Sequence, residues 1–251
     1  MVQQRKSSFL LKQAGETAKK LSVPVISVLT NPAFGQSFTP PVQDPFGFSI
    51  PYDTIRAGYP LFADLDDDGD LDLLLNGLHL QYGSLYDEVF FFKNIGTPTS
   101  PEFDEWMICP YGINVGNYSR QPAIVDIDGD NDCDFFVGYH GYISSIHFFE
   151  NTGTAAVPGF AGPNANPFSI LVESTTRTQP AFSDLDADGD FDLLMVYHDL
   201  PYISYFENTG SPIAPSFEMP VNSPFGLDSI EFQYAYPTFA DLDADGDQDL
   251  F

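Results

Sequence analysis

The sequence predicts an all-β chain: a β-propeller of four-stranded blades, present as three full repeats and an incomplete fourth. Three observations predict it. An acidic stretch of nine residues occurs four times, an aromatic run ending in Asn occurs three times, and a Pro-aromatic turn occurs four times, all in step. Fixed internal periods are the signature of repeat architectures.

The acidic stretches lie in "YPLFADLDDDGDLDLLL" (59–75), "QPAIVDIDGDNDCDFFV" (121–137), "QPAFSDLDADGDFDLLM" (179–195) and "YPTFADLDADGDQDLF" (236–251). Their first aspartates stand at 64, 126, 184 and 241, and Asn94, Asn151 and Asn208 of the second marker are each 57 residues apart. The third marker is "DPFGF" from 44, "CPYGI" from 109, "NPFSI" from 166 and "SPFGL" from 223. The run before each acidic stretch alternates and starts at Pro, as the first residue of a strand may. The run after it is short and continuously apolar, which fits a buried strand. "FFFKN", "HFFEN" and "SYFEN" read as third strands closed by a turn. The segment from "PSFE" to "PFGL" reads as an outer fourth strand followed by a turn. About 57 residues holding four short strands bury too little surface to stand alone, so the units must pack on one another.

Within each loop (64–72, 126–134, 184–192 and 241–249), positions 1, 3, 5, 7 and 9 are Asp. They are Asp64, Asp66, Asp68, Asp70 and Asp72; Asp126, Asp128, Asp130, Asp132 and Asp134; Asp184, Asp186, Asp188, Asp190 and Asp192; and Asp241, Asp243, Asp245, Asp247 and Asp249. Position 6 is Gly69, Asn131, Gly189 or Gly246, the residue types that tolerate a positive φ. This is the front half of the EF-hand loop, in which oxygens at alternate positions wrap a hard cation, position 7 through its carbonyl. The EF-hand itself is excluded. Position 12 is Leu75, Val137 or Met195 where the EF-hand has its bidentate Glu, and a strand follows where it has a helix. The expected cofactor is Ca²⁺, one ion per hairpin and structural, with an affinity of about 10⁻⁴–10⁻³ M.

Composition agrees with a cation partner. With 36 acidic and 9 basic residues the net charge is −27, which argues against a nucleic-acid partner because phosphate binding needs a cationic surface. Five of the nine cations precede residue 21 and stand before "LSVPVISVLT". Residues 1–35 thus have the layout of a secretory signal, with cleavage expected near Gly35–Gln36 and a secreted or cell-surface product. The alternative is a tail followed by an outer strand. No later run approaches the ~20 apolar residues of a membrane helix. Cys109 and Cys133 allow one disulfide, but spacing alone cannot pair them.

"PTFADLDADGDQDLF", "YFENTGS" and "NSPFGL" together resemble the VCBS and FG-GAP repeats of secreted proteins, which are similar to the N-terminal propeller of integrin α chains. The resemblance covers roughly residues 45–251. It implies a propeller, usually seven-bladed, with calcium in the blade hairpins on the aspartates named above. Three units and part of a fourth do not close a ring, so the expectation is either a fragment or more blades beyond Phe251.

No Gly-x-Ser-x-Gly elbow, phosphate loop or HExxH occurs. His79, His140 and His198 follow the second strand in register, but equivalent positions in neighbouring blades lie about 10 Å apart, too far for shared zinc. The expected function is a calcium-stabilised extracellular adhesion or binding module with a protein or glycan ligand. The alternative is a carbohydrate-active enzyme or lectin on the same fold. Its acids would be outliers such as Asp53, Glu88, Asp104, Glu105 or Asp199. Its stacking rings would come from Tyr82, Tyr86, Tyr139, Tyr142, Tyr197 and Tyr202, which fit packing between blades equally well.

Overall fold

The computed structural model describes residue 40 and residues 55–81, 84–117, 119–140, 144–172, 174, 176–227, 235–241 and 245–250. The expected leader (1–35), the first Pro-aromatic motif, Asp53, Tyr82, Tyr142 and Asp243 lie outside them. The chain divides into Met1–Gln43 and Asp44–Phe251, and every strand described belongs to the second unit. That unit is all-β, interrupted only by three short 3-10 turns among the described residues.

Three sheets have four strands each, in chain order and antiparallel. The first is β1 (Ile55–Ala63), β2 (Asp72–Gln81), β3 (Ser84–Phe92) and β4 (Met107–Ile108). The second is β5 (Ser119–Val125), β6 (Asp134–Tyr139), β7 (Ser145–Asn151) and β8 (Phe160–Ala165). The third is β9 (Thr178–Ser183), β10 (Asp192–Tyr197), β11 (Ile203–Phe206) and β12 (Val221–Asn222). β13 (Phe239–Ala240) and β14 (Asp249–Leu250) form a two-stranded hairpin around the fourth acidic loop. Each acidic loop therefore joins the first two strands of its sheet, as the sequence predicts.

After their first aspartate the second strands carry mainly apolar or small residues because both of their faces are covered, as in β10, where all six residues are buried; β2 adds Asn76, His79 and Gln81. Leu74, Val89 and Phe91 of the first sheet meet Phe135, Val137 and Phe149 of the second. Phe136, Ile146 and Phe148 meet Leu193, Met195 and Phe206 of the third. Leu194, Val196 and Tyr205 then meet Phe239 and Leu250. The sheets thus pack face to face in chain order. A unit with one covered face would show alternating polarity, and these strands do not.

The outer strands are the shortest in two of the three sheets, and the Pro-aromatic turn explains how so little ladder suffices. Cys109, Asn166 and Ser223 each donate their N–H to a third-strand carbonyl, at 2.8, 2.8 and 2.9 Å. Each then enters a turn at Pro110–Gly112, Pro167–Ser169 or Pro224–Gly226. The turn aromatic folds back edge-on to a third-strand ring: Tyr111 on Phe91, Phe168 on Phe148, Phe225 on Tyr205. Cys109 and Cys133 are both free thiols.

Gly138 marks a close approach between the second and third sheets. A Cβ there would overlap the carbonyl oxygen of Thr178. Gly138→Ala is expected to force the sheets apart and destabilise the unit by about 3 kcal/mol or more. Urea unfolding would measure this, and an unchanged midpoint would refute it.

Candidate metal centre

The first three acidic loops are each built on two anchors. Position 2 is aliphatic and reaches the core between the sheets: Leu65 and Ile127 are buried, and Leu185 packs against the third interface. Position 9 is the first residue of the second strand, and its buried carboxylate accepts backbone amides. In the first loop Asp72 takes N–H groups from Asn94 at 2.7 Å and Leu65 at 3.3 Å. Asp192 takes the equivalents from Asn208 at 2.9 Å and Leu185 at 3.1 Å. Asp134 takes that of Asn151 at 2.8 Å.

The asparagines carry the order onward. Asn94 Oδ1 accepts from Gly96 and Glu102, both at 3.0 Å. Asn151 accepts from Gly153 and Gly159, and Asn208 from Gly210 and Ser216. The sequence marks these residues as ordinary turn asparagines. The structure makes each a buried hub that ties the acidic loop to the connection between third and fourth strands.

Position 1 closes the loop from above. Asp64 accepts the amides of Asp68 at 3.2 Å and Gly69 at 2.9 Å. Asp126 accepts those of Gly129, Asp130 and Asn131. Asp184 and Asp241 accept from Gly189 and Gly246. Position 6 has positive φ in all four loops, Asn131 at 70° and the glycines at 89°, 98° and 95°. Position 4 is also left-handed, at Asp67 (55°), Gly129 (69°) and Ala187 (63°). Only Gly129 hinted at that in the sequence, because Asp and Ala hide it elsewhere.

The outcome is convergence. One oxygen from each of Asp64, Asp66 and Asp68 lies within 4.8 Å of the others, and so do those of Asp126, Asp128 and Asp130 and of Asp184, Asp186 and Asp188. Position 7 completes the picture. Asp70, Asp132 and Asp190 are each only 6% exposed, and each keeps one buried oxygen with no hydrogen-bond partner. Asp66 and Asp128 carry such an orphan as well. A buried, unpartnered carboxylate oxygen is costly. A hard cation with several oxygen ligands would satisfy it, so the residues fit a divalent metal ion. The position 9 oxygens retain lone pairs beyond those the amides use, so anchoring and ligation are compatible. In the fourth loop Asp241 has an orphan oxygen, and Asp245 accepts the Asp247 amide at 3.2 Å.

Crowding shows in the acidities. Burial, followed by the field of Asp130 and Asp128, pushes Asp132 up to about 6. Burial and Asp188 do the same to Asp190, also to about 6. Burial outweighs the amide hydrogen bonds and raises Asp72 to about 6 and Asp134 to about 7. Cys133, half-buried, is pushed up to about 11 by that burial and by the field of Asp126 and Asp134, which leaves it a thiol at neutral pH.

The remaining candidates scatter. His79 pairs with Glu88 across the β2–β3 hairpin and stacks edge-on against Phe90. Asp199 accepts the Ser174 hydroxyl at 2.6 Å, and Asp104 caps the Glu105 amide. Tyr197 is buried and Tyr139 stacks on His147 at 4.5 Å, so both rings pack within the protein. Tyr86 is exposed. No helix among the described residues is long and apolar enough to cross a membrane.

No family model matches the chain, and no curated protein matches it. Among solved structures, a Photorhabdus luminescens Tc holotoxin pore is similar at a TM-score of 0.25 and 16% identity. The match covers 76% of this chain and 10% of that one.

The raised acidities set the sign of a pH effect in metal-free protein. The folded chain holds protons that the unfolded chain, with carboxylates near 3.8, releases. Stability is then fully present below that value and is lost as pH rises through about 6 to 7. With chelator present, the melting temperature is expected to fall by roughly 3–10 °C between pH 5 and pH 7.5. A flat or rising profile would refute this.

Proposed function

We propose that the chain is a calcium-stabilised β-propeller module of the FG-GAP and VCBS repeat kind, exported and serving as an extracellular binding or adhesion surface. The observation that carries the calcium reading is the threefold convergence of carboxylates at positions 1, 3 and 5 over a buried position 7 oxygen without a partner. Sheets that stack in chain order, each with its acidic hairpin at the same place, support the propeller. The metal is structural in this reading. It neutralises carboxylates that otherwise repel, so folding and calcium binding are coupled. The ligand of the module is a protein or a glycan.

At millimolar calcium and affinities of about 10⁻⁴–10⁻³ M, each occupied loop adds roughly 0.4–1.4 kcal/mol. Thermal melts of the full chain in chelator, in millimolar Ca²⁺ and in millimolar Mg²⁺ test this. The expected result is a rise of several degrees in Ca²⁺ and a much smaller one in Mg²⁺, which resists dehydration. Equal melts in chelator and in Ca²⁺ would sink the reading. Asp186→Asn with Asp188→Asn, both on the exposed third loop, should remove part of the calcium-dependent rise and leave the melt in chelator unchanged or higher.

A further inference from the structure

The residue before each hub asparagine differs between repeats. It is Lys93 in the first, Glu150 in the second and Glu207 in the third. The hub fixes where that residue sits, because the Asn94, Asn151 and Asn208 amides are held by the position 9 carboxylates at 2.7, 2.8 and 2.9 Å. In the first and second sheets the strand thereby brings one charged side chain to bear on the acidic loop. In the first loop the delivered group is a cation. The Lys93 ammonium bonds Asp66, and it lies 3.4 Å from Asp68 Oδ2. It thus touches positions 3 and 5, two of the three carboxylates that converge there. In the second loop the delivered group is an anion, and the Glu150 carboxylate adds to the negative field on Asp128.

We infer that the acidic loops are unequal cation sites: Lys93 serves the first as a built-in cation, and divalent ions load the second and third before entering the first by displacing the ammonium. This rests on the calcium reading and deepens it. The second and third loops qualify as sites on two counts, their converging carboxylates and the buried, unpartnered oxygens of Asp132 and Asp190. Replacing a carboxylate at the rim by an ammonium changes the local charge by two units, and near a protein surface each unit at contact distance is a strong effect. A difference in calcium affinity of on the order of tenfold or more follows.

The position 6 amides report each loop separately. Gly69, Asn131 and Gly189 donate to the position 1 carboxylate of their own loop at 2.9, 3.1 and 3.2 Å. A calcium titration of the full chain, followed by amide NMR, should move Asn131 and Gly189 at calcium levels about tenfold lower than Gly69. Lys93→Glu should bring the Gly69 midpoint down to that of the others, and Lys93→Gln should bring it part of the way. Glu150→Lys should raise the Asn131 midpoint and leave Gly189 where it was. Lys93 is partly exposed, so the Gln variant keeps the test alive if the Glu variant folds poorly. Three midpoints that coincide in the natural chain, or a Gly69 midpoint indifferent to both Lys93 variants, would overturn the inference and leave calcium binding intact. No amide movement in any protein up to about 10 mM Ca²⁺ would overturn the calcium reading and this one with it.

Discussion

Repulsion between carboxylates held in one turn is the constraint on which the rest of this structure depends. Two like charges about 4 Å apart repel by about 1 kcal/mol in water and by about 4 kcal/mol near a protein surface. Five or six aspartates in nine residues would splay such a turn unless something held it. Backbone amides do the holding. Position 1 gathers the N–H groups of the turn, position 5 takes that of position 7, and position 9 takes those of position 2 and the hub asparagine. Negative charge and amide donors are matched inside each loop, which then presents its remaining oxygens inward.

Because the position 9 carboxylate bonds the hub asparagine, loop geometry is transmitted beyond the loop. Asn151 lies on β7, accepts two amides from the connection to β8, and gives its own N–H to Asp134 at the start of β6. One buried Asp–Asn pair therefore connects the acidic hairpin, the third strand and the outer strand of a sheet. This pairing compensates for outer strands of only two residues in the first and third sheets. A cation bound at positions 1, 3 and 5 would act on the same carboxylate network, and so on the whole sheet.

Much of this was legible in the sequence, for a physical reason. Strand pairing, sheet stacking and the left-handed turn at position 6 depend on residue type at fixed spacing, and a repeat shows the same spacing several times. Asn131 in place of Gly was readable because few residues accept φ near 70°. The left-handed residue at position 4 was not, because Ala187 is a residue type that carries no mark of it and Asp67 is one aspartate among six. Burial of the position 7 carboxylates was hidden too. The EF-hand pattern gives position 7 a role through its carbonyl and leaves these side chains spare, and only packing shows that Asp70, Asp132 and Asp190 are enclosed. The meeting of Lys93 with Asp66 spans 27 residues and two strands, a distance at which local pattern says nothing.

The hub also explains why the repeats can diverge where they do. The asparagine and the position 9 aspartate are buried and mutually bonded, so a change in either leaves polar groups unpaired. The residue just before the hub is partly or fully exposed, and in the first two sheets its charge bears on the acidic loop. Lys, Glu and Glu occupy that place in the three sheets without any change in sheet topology or in the hub's hydrogen bonds. Charge at the rim is therefore the one variable of the acidic hairpin that can change sign while the fold stays the same. A scaffold built this way holds its shape constant from unit to unit and leaves the strength of each cation site free to differ.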